Sequence, residues 1–252
     1  MSKEKQTMKN PIQELQGSYS KTAFYIMGLL GFFLILGFLF SGCSDASTVT
    51  GSNTGITGNT DDNTTISTKV EGQNDDPNGT LNITEAKFLL RDVKFRRTDG
   101  TEGEVKVGPI VINLDLSGSV KVSVSGKIPA GTFNRLRFKI HKVEDFETSP
   151  DPEFKEGTSG SQRYSLIAKG TYNGSAFVFK SRKSLNMELA LQAPFTLEEG
   201  QDINVTIVID PYQWFRGGSD FLDPRIEDNE DEIEDNIKDA FRRVFLDNNL
   251  NG

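Results

Sequence analysis

The chain has 252 residues and a formal net charge of −8. Residues 1–42 contain four Lys and two Glu, so the remainder carries −10, and an acidic body repels the phosphates of nucleic acid. One cysteine, Cys43, excludes an intramolecular disulfide, and one histidine, His141, excludes a His-rich metal site.

Lys3, Lys5, Lys9 and Lys21 precede an uninterrupted apolar run of 18 residues, Ala23 to Phe40. Positive charge stays cytoplasmic, so the chain beyond Phe40 is expected to cross outward. The run is long enough for a bilayer core of about 30 Å, and longer than a usual signal h-region of about 7–15 residues. The residues that follow, Ser41-Gly42-Cys43-Ser44, place the sole cysteine after two small residues. This pattern resembles the lipobox of bacterial lipoproteins. The resemblance implies that residues 1–42 are a removed signal peptide and that Cys43 carries acyl lipid. The chain would then be anchored in the cell membrane or outer membrane, with its domain outside the cytoplasm. Two or more acyl chains anchor stably where one is marginal. Ser44 stands where inner-membrane retention in enteric bacteria resembles an Asp signal, which leans toward the outer membrane. Phe40 departs from the family's preferred Leu, and the segment before the run is long unless Met8 is the start. The alternative is an uncleaved transmembrane helix beside a free thiol.

Residues 43–79 are dominated by Ser, Thr, Asn, Gly and Asp, with few apolar and no aromatic side chains. Such a composition does not offset the entropy of ordering, so it predicts a disordered tether reaching about 30–36 Å.

From Thr80 to Gly252 the dominant period is two. Ile110, Ile112, Leu114 and Leu116 alternate with other residues, as do Val120, Val122 and Val124, then Leu136, Phe138 and Ile140. Leu185, Met187, Leu189 and Leu191 follow the same rule, and so do Ile203, Val205, Ile207 and Ile209. Alternation predicts strands with one buried and one wet face. Leu81 to Phe95 reads as a long strand whose phase breaks at Arg91-Asp92, the mark of a bulge or bend. Arg163–Tyr172 and Ala176–Lys180, joined by Asn173-Gly174, read as a hairpin with a type I′ turn. Pro129-Ala130-Gly131 is a further turn. The expected fold is mostly β: an antiparallel β-sandwich, immunoglobulin-like or transthyretin-like, with a closed barrel as the alternative. One amphipathic helix is predicted over 229–246, with Ile233, Ile237, Phe241, Val244 and Phe245 on one face. Asn229 and Glu232 form its expected capping box, and the helix would cover an open end or edge of the sandwich.

Asp247-Asn248-Asn249-Leu250-Asn251-Gly252 matches the first six positions of an EF-hand loop. Asp247, Asn249 and Asn251 are thus candidate Ca²⁺ ligands, although the distal Glu is missing and another acid, such as Asp223 or Glu227, would have to complete the site. The competing reading is a polar tail. Glu144 to Glu156 holds six acids in thirteen residues, which reads as a solvated loop or a cation site. Tyr212, Trp214 and Phe215 form either an exposed platform for a glycan or peptide or a buried cap of the core. His141 falls on the polar face of a strand. No nucleotide-binding glycine motif is present, and no catalytic pair stands out.

These features favour a non-enzymatic binding or structural module of the cell envelope, with an envelope glycan or protein as its ligand. A carboxylate-dependent hydrolase of envelope polymers is the second hypothesis. A single-span sensor with an uncleaved N-terminal helix is the third.

Overall fold

A computed structural model describes residues 62–252 except 73–75, 77 and 107. The apolar run and Cys43 lie outside the described residues. The strands in chain order are β1 (Thr64–Val70), β2 (Leu81–Arg97), β3 (Glu102–Lys106), β4 (Ile110–Asn113), β5 (Lys121–Gly126) and β6 (Gly131–Ile140). β7 (Leu166–Tyr172), β8 (Ser175–Ser181), β9 (Leu185–Leu197) and β10 (Ile203–Ile209) follow, then the short β11 (Arg216–Gly217) and β12 (Asp220–Phe221). The helix α1 (Glu230–Asn236) and β13 (Phe241–Leu246) complete the elements. The protein is mostly β, as expected.

The main sheet runs β5-β1-β10-β13-β9-β6-β2-β7-β8, with β3 and β4 also paired to β2. It curls, so that Ile66, Val205 and Ile207 share one apolar core with Phe88, Phe95 and Leu136. One paired position, Val244 with Leu191, joins the two halves. Phe241 of β13 then meets the rings of Phe88 and Phe138 at 5.8 and 5.4 Å between centroids. Gly126 closes one end of the curl: a Cβ there would lie 2.2 Å from the Val105 carbonyl oxygen, so only glycine lets β5 approach β3 so closely.

β2 is the longest strand, and it changes partners along its length. Its first part pairs with β7 and β4, and its second with β6 and β3. The switch falls at Asp92, which has φ of +50° and sits in a register shift. This is the phase break expected at Arg91-Asp92. The Asn173-Gly174 hairpin also forms as expected, with φ of +48° and +75° between β7 and β8.

Three expectations are corrected. The tether does not extend to residue 79, because Thr64–Val70 is a strand held between β5 and β10. Its composition hides it, since only Ile66 and Val70 are strongly apolar. Thr64, Ser67 and Thr68 are nevertheless buried. Their hydroxyls are satisfied laterally: Ser67 Oγ donates to Asn204 Oδ1 at 2.8 Å, and Thr68 and Ser123 share a hydrogen bond of 3.0 Å. Burial of a polar strand is tolerable when each polar group has a partner.

The helix over 229–246 is the second correction. Only Glu230–Asn236 is α-helical, a 3₁₀ turn follows at Lys238–Ala240, and Phe241–Leu246 is a strand. Four of the five apolar positions, Ile233, Ile237, Phe241 and Val244, are buried as predicted, whereas Phe245 is only partly buried. Two different periods bury them. Aromatic and β-branched residues suit a strand, and the slot between β10 and β9 takes one. Asn229 does not cap: its amide donates to the Asp223 carbonyl instead. The third correction concerns wet faces. β10 is buried on both faces, and a register shift between Ile66 and Ser67 in the β1–β5 pairing turns Val122 outward, 45 % exposed.

A chain beginning at Asp62 is expected to unfold cooperatively on heating, followed by circular dichroism, whereas one beginning at Thr80 is expected to lose that transition. Ile66→Ala is expected to cost about 2–5 kcal/mol in denaturant unfolding, as truncations of buried Ile do.

Candidate interaction surface

The segment after β10 places the aromatic candidates. Asp210 caps the turn Pro211–Phe215, accepting from the Tyr212 and Gln213 amides at 3.1 and 3.2 Å. Arg242 Nη2 donates to the same carboxylate at 2.9 Å. The turn drives Trp214 and Phe215 into the core, where Phe215 packs on Phe177 and Phe179. Tyr212 is buried as well. The exposed-platform reading of Tyr212, Trp214 and Phe215 is therefore corrected. Proline after a capping Asp starts a helical turn, and that turn aims the rings inward.

The C-terminal tail folds back on β10 and β1. Asp247 is buried, and its carboxylate accepts from Thr206 Oγ1 at 2.8 Å and from the Asn251 and Gly252 amides, each at 3.2 Å. Asn248 Oδ1 accepts from the Asn204 amide, and Asn204 Nδ2 donates to the Asp247 carbonyl. Asn249 and Asn251 are exposed. The half-loop spacing thus puts Asp247 to work as a latch for the backbone. Among the described residues, no three His, Cys, Asp or Glu side chains form a cluster fit for a metal ion.

The acids of Glu144–Glu156 do not simply face water. Glu147 takes both Arg91 guanidinium nitrogens at 3.0 and 2.6 Å. Glu144 lies 3.7 Å from Arg91, Asp145 pairs with Arg163, and Glu156 pairs with Lys180. Asp151 accepts from Lys87 at 2.7 Å, while Glu153 is shared between Lys87 and Lys169. The cations come mostly from the outer faces of β2, β7 and β8. Beneath the pairs lies a second small core of Leu89, Val143, Phe154 and Ile167. The segment 141–165 is therefore a cover over the sheet. Its signal was present in the sequence: on the nominally wet face of β2, Leu89 stands between Lys87 and Arg91.

Lys87 is buried at the centre of this network. Burial pulls its ammonium down, but hydrogen bonds to Asp151, Glu153 and Glu85 outweigh that and hold it above the ordinary lysine value. Hydrogen bonds from Lys169 and Lys87 hold the Glu153 carboxyl down to about 2. Breaking a buried ion cluster by removing one member leaves the others uncompensated.

The cover presents one large apolar side chain outward. Phe146 is 89 % exposed. It sits in a turn closed by the Glu147 amide donating to the Glu144 carbonyl at 3.2 Å, and by the Glu144 amide donating to the Glu147 carboxylate at 2.9 Å. Lys155 Nζ donates to the Asp145 and Glu147 carbonyls at 3.0 and 2.9 Å, and Arg163 donates to the Val143 carbonyl at 3.2 Å. Both neighbours of Phe146 are thus tied down by backbone and side chain.

A groove of about 270 Å³ lies beside β8, which among the described residues is paired on one side only. Val178 and Ile226, 57 % and 50 % exposed, stand on its two walls, with Tyr164 between Lys180 and Arg182. Arg225 lines the far wall near Glu227 and Glu230. A second hollow of about 220 Å³ is lined by Asp92, Lys94, Glu102, Arg137 and Lys139. Hydrogen bonds from Lys139 and Arg137 hold the Asp92 and Glu102 carboxyls, respectively, below their ordinary values. Neither therefore carries a proton to donate near neutrality.

No protein-family model matches the chain, and no curated protein matches it in sequence. A solved structure, MbnP from Methylosinus trichosporium, aligns with 57 % of this chain and 74 % of that one at 9 % identity and a TM-score of 0.34. A likeness that slight carries no argument about function.

The ion clamp sets a pH dependence. A depressed carboxyl stabilises fully above its ordinary value of 4.5 and loses that contribution as pH falls toward about 2. The denaturant midpoint is expected to fall between about pH 7 and pH 3, and Glu153→Gln is expected to shrink the difference, mainly by lowering the pH 7 value.

Proposed function

We propose that this protein is a lipid-anchored envelope protein whose β domain serves as a non-enzymatic binding or structural module outside the cytoplasm. One observation carries the reading: the chain's only cysteine, Cys43, falls just after an 18-residue apolar run preceded by four lysines. Among the described residues no helix is long and apolar enough to cross a membrane. We read the two halves of the curled sheet as the layers of a sandwich of immunoglobulin-like or transthyretin-like style, a reading supported by their shared core.

Binding is favoured over hydrolysis because the carboxylates lining the Asp92–Glu102 hollow are ion-paired and held ionised. A glycosidase-type mechanism needs one carboxyl kept protonated beside another. The surface does offer a clamped, exposed aromatic ring and a mostly polar groove with two exposed apolar side chains, Val178 and Ile226, features compatible with protein recognition. An envelope protein is therefore the preferred ligand class over a glycan.

The intact mass of the protein from its native membrane fraction tests the anchor. The expected species begins at Cys43 and is heavier by two or three acyl chains. A full-length, unmodified mass would leave Ala23–Phe40 as a permanent transmembrane helix and favour the sensor reading instead.

A further inference from the structure

The path of the main sheet ends at β5 and at β8. β5 is closed against β3 at Gly126, whereas β8 is open. A two-residue turn makes its flanking residues, Tyr172 and Ser175, a hydrogen-bonded pair, and alternate pairs along the ladder repeat it. Phe177, Phe179 and Ser181 therefore bond to β7, and the amides and carbonyls of Ala176, Val178 and Lys180 point away from it. The same phase places the Asn173 amide and the Ser165 carbonyl on the opposite side, bonded to Thr80 and Leu89 at 2.7 and 2.9 Å. Among the described residues, no backbone group bonds to the outward groups of β8.

Sheets blunt such an edge with a proline, a bulge, an inward charge or an exposed lysine. β8 has no proline, and its seven pairs with β7 run without a register shift. Phe177 and Phe179, not charges, point inward. Lys180, its one lysine, is drawn aside: the ammonium pairs with Glu156 and lies 5.0 Å from the Tyr164 ring centre. Val178, 57 % exposed, stands at the middle of the bare stretch. The groove beside β8 leaves this edge reachable, since Pro224 to Glu227 stand on its far wall.

We propose that β8 pairs with β8 of a second copy, antiparallel and across a two-fold axis at Val178, so that two sheets join into one. The amide and carbonyl of Val178 then exchange bonds with those of Val178 of the second copy, and Ala176 does the same with Lys180 of the second copy. A strand edge is complementary to another strand edge, and this one is complementary to itself. From Ser175 to Ser181 the register sets Val against Val, Ala against Lys, Phe against Phe and Ser against Ser, and no like charges face each other. The contact is made by backbone groups and Val178, so the ion pairs already present in each chain stay intact. Closure of β5 keeps the same mode from propagating, and the product is a closed dimer. The contact does not depend on the lipid anchor proposed above.

The test co-expresses full-length chains carrying two different C-terminal tags and measures how much of one co-purifies with the other after detergent extraction. Wild-type chains are expected to co-purify. With Val178→Lys in both copies, or Val178→Glu in both, recovery is expected to fall roughly tenfold or more, because like charges then meet on the axis. Pairing a Val178→Lys chain with a Val178→Glu chain is expected to restore recovery, since only at a two-fold axis does residue 178 face itself, and restoration shows that both variants fold. Wild-type chains that do not co-purify would overturn the proposal, the result expected if the edge takes a strand from a different protein. So would a mixed pair no better than its parents, or Val178→Lys chains that co-purify as the wild type does.

Discussion

The structure depends on β10. This strand pairs in parallel with β1 at the start of the domain and antiparallel with β13 near its end. It therefore joins two segments that lie more than a hundred residues apart in the chain. Every residue of Ile203–Ile209 is buried, and a strand in that position has no edge and no wet face. Its one face meets the shared core. Its other face carries Asn204 and Thr206, which could not be buried without partners. Ser67 and Asp247 supply them, so the polar side of β10 holds both β1 and the C-terminal tail through hydrogen bonds.

That arrangement explains why the two ends resist simple reading. β1 has the composition of a linker and the environment of a core strand, because Thr and Ser side chains that bond laterally behave as acceptable interior groups. The tail has the spacing of a calcium loop, yet Asp247 spends both carboxylate oxygens on Thr206 and on backbone amides. Ser67, Thr68 and Asp247, whose oxygens suggest solvent or metal, are used to satisfy neighbouring side chains and backbone.

The outer surface follows a different logic. The cover over 141–165 is held by a small apolar core and by ion pairs between its acids and the basic outer face of the sheet. Exposed pairs of this kind contribute little individually, but Lys87 and Arg91 are largely buried and their partners converge from one loop. The result is a rigid cap whose most prominent feature is a solvent-facing phenylalanine. On the neighbouring edge, β8 presents a groove whose lining mixes Lys180, Arg182 and Arg225 with Glu227 and Glu230. A binding module needs shape and pre-organisation more than reactive groups, and these two features provide both.

The sequence by itself determined the β class, the bend of β2 at Asp92, the hairpin at Asn173-Gly174 and the burial of Ile233, Ile237, Phe241 and Val244. All of these rest on local rules: the period of apolar residues, positive-φ turn chemistry and a break in alternation. Only the tertiary structure decided that Phe241–Leu246 is a strand, that Thr64–Val70 belongs to the sheet, and that Trp214 faces inward. Those outcomes turn on which neighbour is present. A short segment such as Phe-Arg-Arg-Val-Phe-Leu fits either period, and the open slot between β10 and β9 selects one. Phe146 shows the same limit from the other side. Nothing local marks one phenylalanine among acids as exposed, and its position is set by arginines from a strand and a loop distant in sequence.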